Sequence, residues 1–513
     1  MSQLLRTKSI DKLLADADEP EHRLRKTLGP WSLTALGIGA IIGTGIFILT
    51  GTAAAGEVVN FRSVLKAPLI DVLLHGGNAL GAAGRPGAGP AIALSFFLVA
   101  VACALAGLCY AELASMIPIA GSAYTYAYAT LGEIVAWIIG WDLILEYAVS
   151  NMAVAVGFSA YVDTLLAGFG LRLPASIRNP VFDDSLQRTG SYFNVPGFLV
   201  VMILTVILVR GIRESAGTNN FMVTVKIIAI FIFILAASRH IQAANWKPFM
   251  PNGWQGVLTG GAIVFFTYIG FDSVSTAAEE CRNPQKDVPF GIIASLIICT
   301  VLYCSVAVVL TGIQNWRELR NAAPVAHALE FIHLYGIERW VTIGALMGML
   351  SSLLVFQLGQ ARVWFAMSRD GLLPAAFSRV HPKFRTPHVS TWVAGFFVAI
   401  PSGLFNIGTL SDLSNIGTLF AFILVSLGVL VLRRKQPDRR RGFVAPWVPA
   451  LPIAAIACCL ILMGSLPLET WLRFVIWLVI GLVLYFAYSR HRSEFGRSPR
   501  VAVAAPVAAH GPE

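Results

Sequence analysis

Gly37-Ile38-Gly39-Ala40-Ile41-Ile42-Gly43-Thr44-Gly45-Ile46-Phe47 lies inside the first long apolar run of the chain, Ser32 to Gly56. Glycines at this density invite a nucleotide-loop reading. The spacing is GxGxxxGxG rather than GxGxxG and no strand precedes it, so a dinucleotide fingerprint is set aside. Two readings remain. In one, Gly39 and Gly43 lie four apart on a continuous helix and let a neighbour pack closely. In the other, the helix breaks at Gly43-Thr44-Gly45, about 17–20 Å along the run at 1.5 Å per residue, near the middle of a bilayer. Unwound backbone at that depth is tolerated only where it lines a cavity or is otherwise satisfied. Amides freed at the start of the second half-helix carry the positive end of its dipole and can hold a carboxylate.

A matching irregularity stands at Phe265-Phe266-Thr267-Tyr268-Ile269-Gly270-Phe271-Asp272. β-branched and aromatic residues around a glycine make a poor helix centre. Carbonyls freed there suit an ammonium group. Two broken helices in corresponding positions of two halves are the best sequence pointer to a transporter's substrate site. Amides from one break and carbonyls from the other match a zwitterion, and an α-amino acid is the simplest such ligand.

The rest of the chain says what surrounds these breaks. Of 513 residues, 56% are hydrophobic and only 13% charged, against about 25% charged in a soluble domain. That charge deficit excludes a soluble particle of this size, and it excludes disorder too. The net charge of +10 could hint at nucleic acid, but no solvated basic domain is left over to bind it. The N-terminus has no secretory h-region. The seven cysteines fall mostly in apolar runs without CxxC spacing, which predicts neither a metal site nor a disulfide framework. At about 20 apolar residues per span, twelve spans are expected, at about 32–56, 90–116, 134–166, 195–212, 218–240, 254–280, 288–313, 338–368, 389–405, 409–432, 445–466 and 469–489. The aromatic stretch Gly121 to Tyr128 is too polar to cross, and reads as a short interfacial or re-entrant helix. With the N-terminus inside, inside segments hold 24 of the 38 Lys and Arg and outside segments 11, so both termini are expected in the cytoplasm. An outside insertion, 57–89, begins with an amphipathic stretch from Phe61 to Leu74. It ends in Gly81-Ala-Ala-Gly84-Arg-Pro-Gly-Ala-Gly89, which reads as a flexible tether.

The first span, the stretch Phe266 to Glu280, the loop Arg282-Asn-Pro-Gln-Lys-Asp-Val-Pro289 and Phe365-Ala-Met-Ser-Arg-Asp-Gly-Leu-Leu-Pro374 together resemble the amino acid–polyamine–organocation superfamily. Within it, the chain is most similar to bacterial members of the cationic amino acid transporter family, over about residues 28–490. The resemblance implies an all-α membrane protein with the leucine-transporter fold. Its plan is a cytoplasmic tail (1–31), a first five-helix repeat (32–240), a second, inverted one (254–432), two additional helices (445–489) and a cytoplasmic C-terminal tail (490–513). It implies import by alternating access across the cell (inner) membrane. It further implies substrate carboxylate on amides near Thr44 and Gly45, and the amino group on carbonyls near Ile41, Phe266, Thr267 and Ile269. The insertion 57–89 departs from the family pattern, in which a short link joins the first two spans.

Single charged residues sharpen this. Lys226 stands about eight residues, roughly 12 Å, inside the fifth span. A lysine at the bilayer centre costs about 2.5–3.5 kcal/mol on insertion scales, so it persists mainly for function; the bland alternative is snorkelling to the interface. The cost of holding charge there makes it able to release and regain a proton during a cycle, and its charge can stand where another transporter binds sodium. The resembled family assigns its fifth-span lysine to proton coupling, and Lys226 matches that position. Glu146, about 18 Å into the third span, shares a helix face with Asp142. It reads either as lining the side-chain pocket or as a structural carboxyl. Glu279, Glu280, Arg282 and Arg369 sit at helix ends expected to face the cytoplasm, where solvated charge is the default and the resemblance implies an inner gate. H⁺ symport is expected, with the proton as coupling ion and no cofactor; exchange or uniport by the same fold is the alternative. A channel needs a continuous polar pore that these spans do not offer. An enzyme needs catalytic groups at membrane depth, and none is grouped there. Expected partners are an amino acid substrate and membrane lipid, and no nucleic acid; a small single-span partner or a second copy stays open. Which amino acid, cationic or small and apolar, is not written in these motifs.

Overall fold

The first apolar run folds as two helices, not one. Helix α1, Pro30–Ile41, starts on a proline, whose fixed φ and missing N–H suit a first helical position. It stops where Ile42 turns extended (φ −83°, ψ 92°). Helix α2, Gly45–Ala55, sets off at 42° to it. In this computed structural model, residues 3–11, 13–14, 28–58, 64–75, 84–119, 121–183, 187–210, 215–321, 323–384 and 386–493 are described.

After α2 come strands β1 (Gly56–Val58) and β2 (Gly84–Pro86), then helices α3 (Ile92–Met116), α4 (Ser122–Thr130), α5 (Glu133–Ala167), α6 (Val195–Arg210) and α7 (Ser215–Ala237). A second set follows: α8 (Gly253–Val264), α9 (Pro284–Ile313), α10 (Tyr335–Arg369), α11 (His388–Leu404), α12 (Ile407–Lys435), α13 (Ala450–Gly464) and α14 (Leu468–Leu484). Among the described residues, eight helices are long and apolar enough to cross a membrane, and the bent pair α1–α2 adds a ninth. Three shorter apolar helices, α6, α11 and α13, coincide with other expected spans. The side chains agree with a lipid surround. Ile203 and Ile207 on α6, Ile297 and Val301 on α9, and Val475 through Val483 on α14 include large apolar groups left exposed. A soluble monomer rarely shows patches of that extent. The chain is a multi-pass membrane protein.

Helix α5, 35 residues long, is the central post. Helices α4, α6, α10, α11, α12 and α14 all pack on it, while α9 joins α1 to α3. The aromatic stretch forms α4, and all nine of its residues are buried against the bundle; it is packed inside, not laid on a membrane surface. The seven cysteines are unpaired.

The insertion needs correction. Its end is no flexible tether over residues 84–89. Strand β2 pairs antiparallel with β1, and Arg85, only 3% exposed, is held by two carboxylates. Its Nε donates to Glu57 Oε2 at 2.7 Å, and Nη1 and Nη2 each donate to one oxygen of Asp412 at 2.9 Å. Gly87 is fitted just as closely: a Cβ there would lie 2.5 Å from the Gly56 nitrogen. Upstream, Lys66 pairs with Glu469 at 2.6 Å and the helix Leu69–His75 presents Asp71 to Gln255 Nε2 at 2.9 Å. Residues 59–63 and 76–83 of the insertion, Phe61 among them, lie outside the described residues, as do 15–27 and 494–513 of the two tails.

Candidate functional site

The two breaks meet face to face. Gly45, the first residue of α2, is pressed against Thr267 so closely that a Cβ on it would lie 2.8 Å from the Thr267 Cα. Across from it, helix α8 tightens into a 3₁₀ turn at Phe265–Tyr268, and Ile269 then becomes extended. Gly270 follows with φ 116°, a region L side chains rarely adopt, and a Cβ on it would come within 2.8 Å of the Ala40 Cβ. Glycine is therefore required at both contact points. Replacement of Gly45 by alanine should push the two breaks apart and lower the melting temperature in detergent by several degrees, since overpacking there costs of order 1–3 kcal/mol. An unchanged melting temperature in Gly45→Ala would show that the contact is dispensable.

Between the breaks is a cavity lined by Ile41, Thr44, Gly45, Phe266 and Ile269, with Val154, Ser352 and Phe356 closing it. Its free volume is about 10 Å³, the room of a single water molecule. The first amides of α2 have no partner within their own helix, and the buried Thr44 hydroxyl has none either. On the carbonyl side, the Tyr303 hydroxyl lies 2.9 Å from both Ile41 O and Thr267 O. A phenol carries one hydrogen and Ile41 O also accepts from the Gly43 N–H at 3.1 Å, so when Tyr303 donates to Ile41 O, Thr267 O is left for another donor. The site offers N–H donors on one wall and a shared acceptor pair on the other, with apolar side chains between.

Lys226, fully buried on α7, reaches the end of α1. Its ammonium donates to Gly39 O at 3.0 Å, Ile42 O at 2.8 Å and Ser351 Oγ at 2.8 Å. Each of its three hydrogens has an acceptor. These are carbonyls at a helix C-terminus, where the dipole is negative and a cation is stabilised. Ser351 also lies 3.2 Å from Gly39 O, tying α10 to the same corner. No carboxylate takes part.

Glu146 does not line the cavity. It is 1% exposed on α5, and neither carboxyl oxygen has a hydrogen-bond partner. Its electrostatic neighbours are Asp272 and Asp142. Asp272 Oδ2 accepts from the Tyr147 hydroxyl at 2.7 Å, while Asp142 is buried with both oxygens unpartnered. Glu280 pairs with Arg362 of α10, and Arg362 also reaches Thr276 O at 3.5 Å. Arg282 is exposed and uses its backbone N–H to bond Leu28 O. Arg369 stands apart from that pair, in a cleft at the end of α10. Sequence reasoning missed Tyr303, Ser351 and Arg362 as participants, and gave Asp272 no role. The available signal was a hydroxyl or charge inside an apolar helix, the same signal that singled out Lys226.

The family model described as "Amino acid permease" matches residues 28–487. The methylthioribose transporter of Bacillus subtilis is 44% identical over 493 residues, covering 96% of this chain and 99% of its own. The branched-chain amino acid permease BcaP of the same organism is 45% identical over 498 residues, with the same coverage. The vacuolar cationic amino acid transporter 4 of Arabidopsis thaliana is 35% identical over 444 residues, 85% of this chain and 68% of its own.

Proposed function

Because the chain belongs to the amino acid permease family, whose members are transporters and not enzymes, we propose that it imports α-amino acids by alternating access, coupled to a proton carried by Lys226. One observation carries this reading: the Lys226 ammonium holds Gly39 O and Ile42 O at the broken end of α1, beside the cavity formed by Ile41 and Thr44. Loss of its proton removes one donor and the positive charge from that corner, which frees α1 to move against α7 and α10. Protonation and the position of the half-helix are thereby linked.

The substrate we propose is a small or branched apolar amino acid. The lining side chains Ile41, Val154, Phe266, Ile269 and Phe356 are apolar, and Glu146, the carboxylate that would attract a basic side chain, lies outside the lining. The relative BcaP, named for branched-chain amino acids, points the same way. We also propose the twelve-span arrangement, two five-helix halves (32–240 and 254–432) with two further helices, both termini in the cytoplasm and the cell inner membrane as location. The paired breaks and the excess of inside Lys and Arg support it.

Uptake into proteoliposomes under imposed pH or sodium gradients tests the substrate and the coupling, with a panel of amino acids and methylthioribose as a further candidate. Valine, leucine or isoleucine should accumulate under a pH gradient, inside alkaline, and not under a sodium gradient alone. Accumulation of none of the amino acids would overturn the proposal. Counterflow without any pH requirement would replace symport by exchange.

A further inference from the structure

A second cleft, of about 340 Å³, opens at the far end of α10, away from the site between the breaks. Ser368, Arg369, Gly371 and Ser378 form one wall, and Tyr488 and Arg492, just beyond α14, form the other. The two walls are tied together. Ser489 Oγ donates to Leu372 O at 2.7 Å, and Gly371 turns at φ 78° directly beneath the Arg492 carbonyl, where a Cβ would collide with it. Among the described residues, neither arginine is paired with a carboxylate. The adjacent Asp370 is already taken by Lys8 at 3.2 Å and by Tyr124 OH at 2.6 Å. Arg492 rests on Tyr488, donating to its hydroxyl at 3.1 Å with the guanidinium 4.6 Å from the ring centre. Among the described residues, the cleft is lined by two guanidinium groups and no carboxylate.

We propose that this cleft binds the headgroup phosphate of an anionic phospholipid. The Ser368 and Ser378 hydroxyls already donate to Pro374 O and Ala375 O, so the phosphate donors are the two guanidinium groups and the Tyr488 hydroxyl. Basic pockets between membrane helices suit acidic lipid headgroups. The surface leading away from the cleft favours a lipid over a free phosphate. Stepping back from Tyr488 four residues at a time along α14 reaches Leu484, Ile480 and Ile476, which are 41%, 45% and 52% exposed. An acyl chain lies along that ridge while its phosphate sits between Arg369 and Arg492.

The test is lipid retention by the purified, delipidated protein, read by native mass spectrometry after adding phosphatidylglycerol or phosphatidylcholine. Phosphatidylglycerol should be retained preferentially. Arg492→Gln should weaken its retention by about fivefold, the worth of one basic residue at an anionic surface. Arg492→Lys should recover part of the loss, and Arg440→Gln, at another exposed arginine, should leave retention unchanged. Equal retention of both lipids, or an equal loss in Arg440→Gln, overturns the proposal. So does displacement of phosphatidylglycerol by millimolar inorganic phosphate, which would make this a free-anion site. Transport is not measured, so the outcome is independent of the proposed substrate and coupling.

Discussion

Lys226→Ala should lose accumulation driven by a pH gradient, to about a tenth of the parent rate or less. The alanine leaves Ile42 O without its ammonium donor, and Gly39 O with only the Ser351 hydroxyl at 3.2 Å. An unsatisfied buried carbonyl costs of order 1–3 kcal/mol, and 1.4 kcal/mol is a factor of ten. Those two carbonyls mark the end of α1, so the cost falls on the conformation in which that half-helix is docked. Arginine should not substitute. Its planar fork cannot place three donors tetrahedrally toward two carbonyls and the Ser351 hydroxyl. Substrate exchange across the membrane, which needs no net proton movement, should survive in Lys226→Ala better than gradient-driven uptake. Uptake by this variant that stayed fully dependent on the pH gradient would sink the assignment.

The largest effect on stability should come from Arg85→Ala. The arginine is enclosed by Glu57 and Asp412, and its removal leaves two carboxylates in a site where Arg85 is 3% exposed and Asp412 6% exposed. Breaking a buried pair by deleting one partner costs about 3–5 kcal/mol. The melting temperature in detergent should fall by several degrees. Neutralising the orphaned acids in the triple variant Arg85→Met, Glu57→Gln, Asp412→Asn should recover most of it. An unchanged melting temperature in Arg85→Ala would mean the pair adds nothing to the folded state.

Different parts of this molecule were visible in its sequence for different reasons. The break in the first span was legible because glycines at 43 and 45 flank Thr44 in the middle of an apolar run, and no continuous helix needs that. The second break was legible for the same reason at Gly270. Lys226 stood out because charge is scarce at membrane depth. Arg85 was hidden by its surroundings: a glycine-rich stretch looks loose when only composition is seen, whereas here Gly87 is glycine because the backbone of α2 passes too close for a side chain. The pairing of Glu280 with Arg362 depends on how α10 lies across the turn after the second break, a long-range fact that neighbouring residues do not encode. The placement of Glu146 is of the same kind. Its depth along α5 could be counted, but its direction, toward Asp272 and away from the cavity, follows from the rotation of a helix that six others contact.

The size of the central cavity bears on leakage. A carrier that must return without cargo passes repeatedly through a state in which nothing occupies its middle. If that state held a file of water, protons and small ions would slip through it and dissipate the gradient the carrier draws on. The free volume between Thr44, Phe266 and Phe356 is about that of one water, too little for a file of them at that point. The close packing around Thr44, Phe266 and Phe356 is then an insulating property, and widening it should be felt first as wasted gradient, before any change in which molecule is carried.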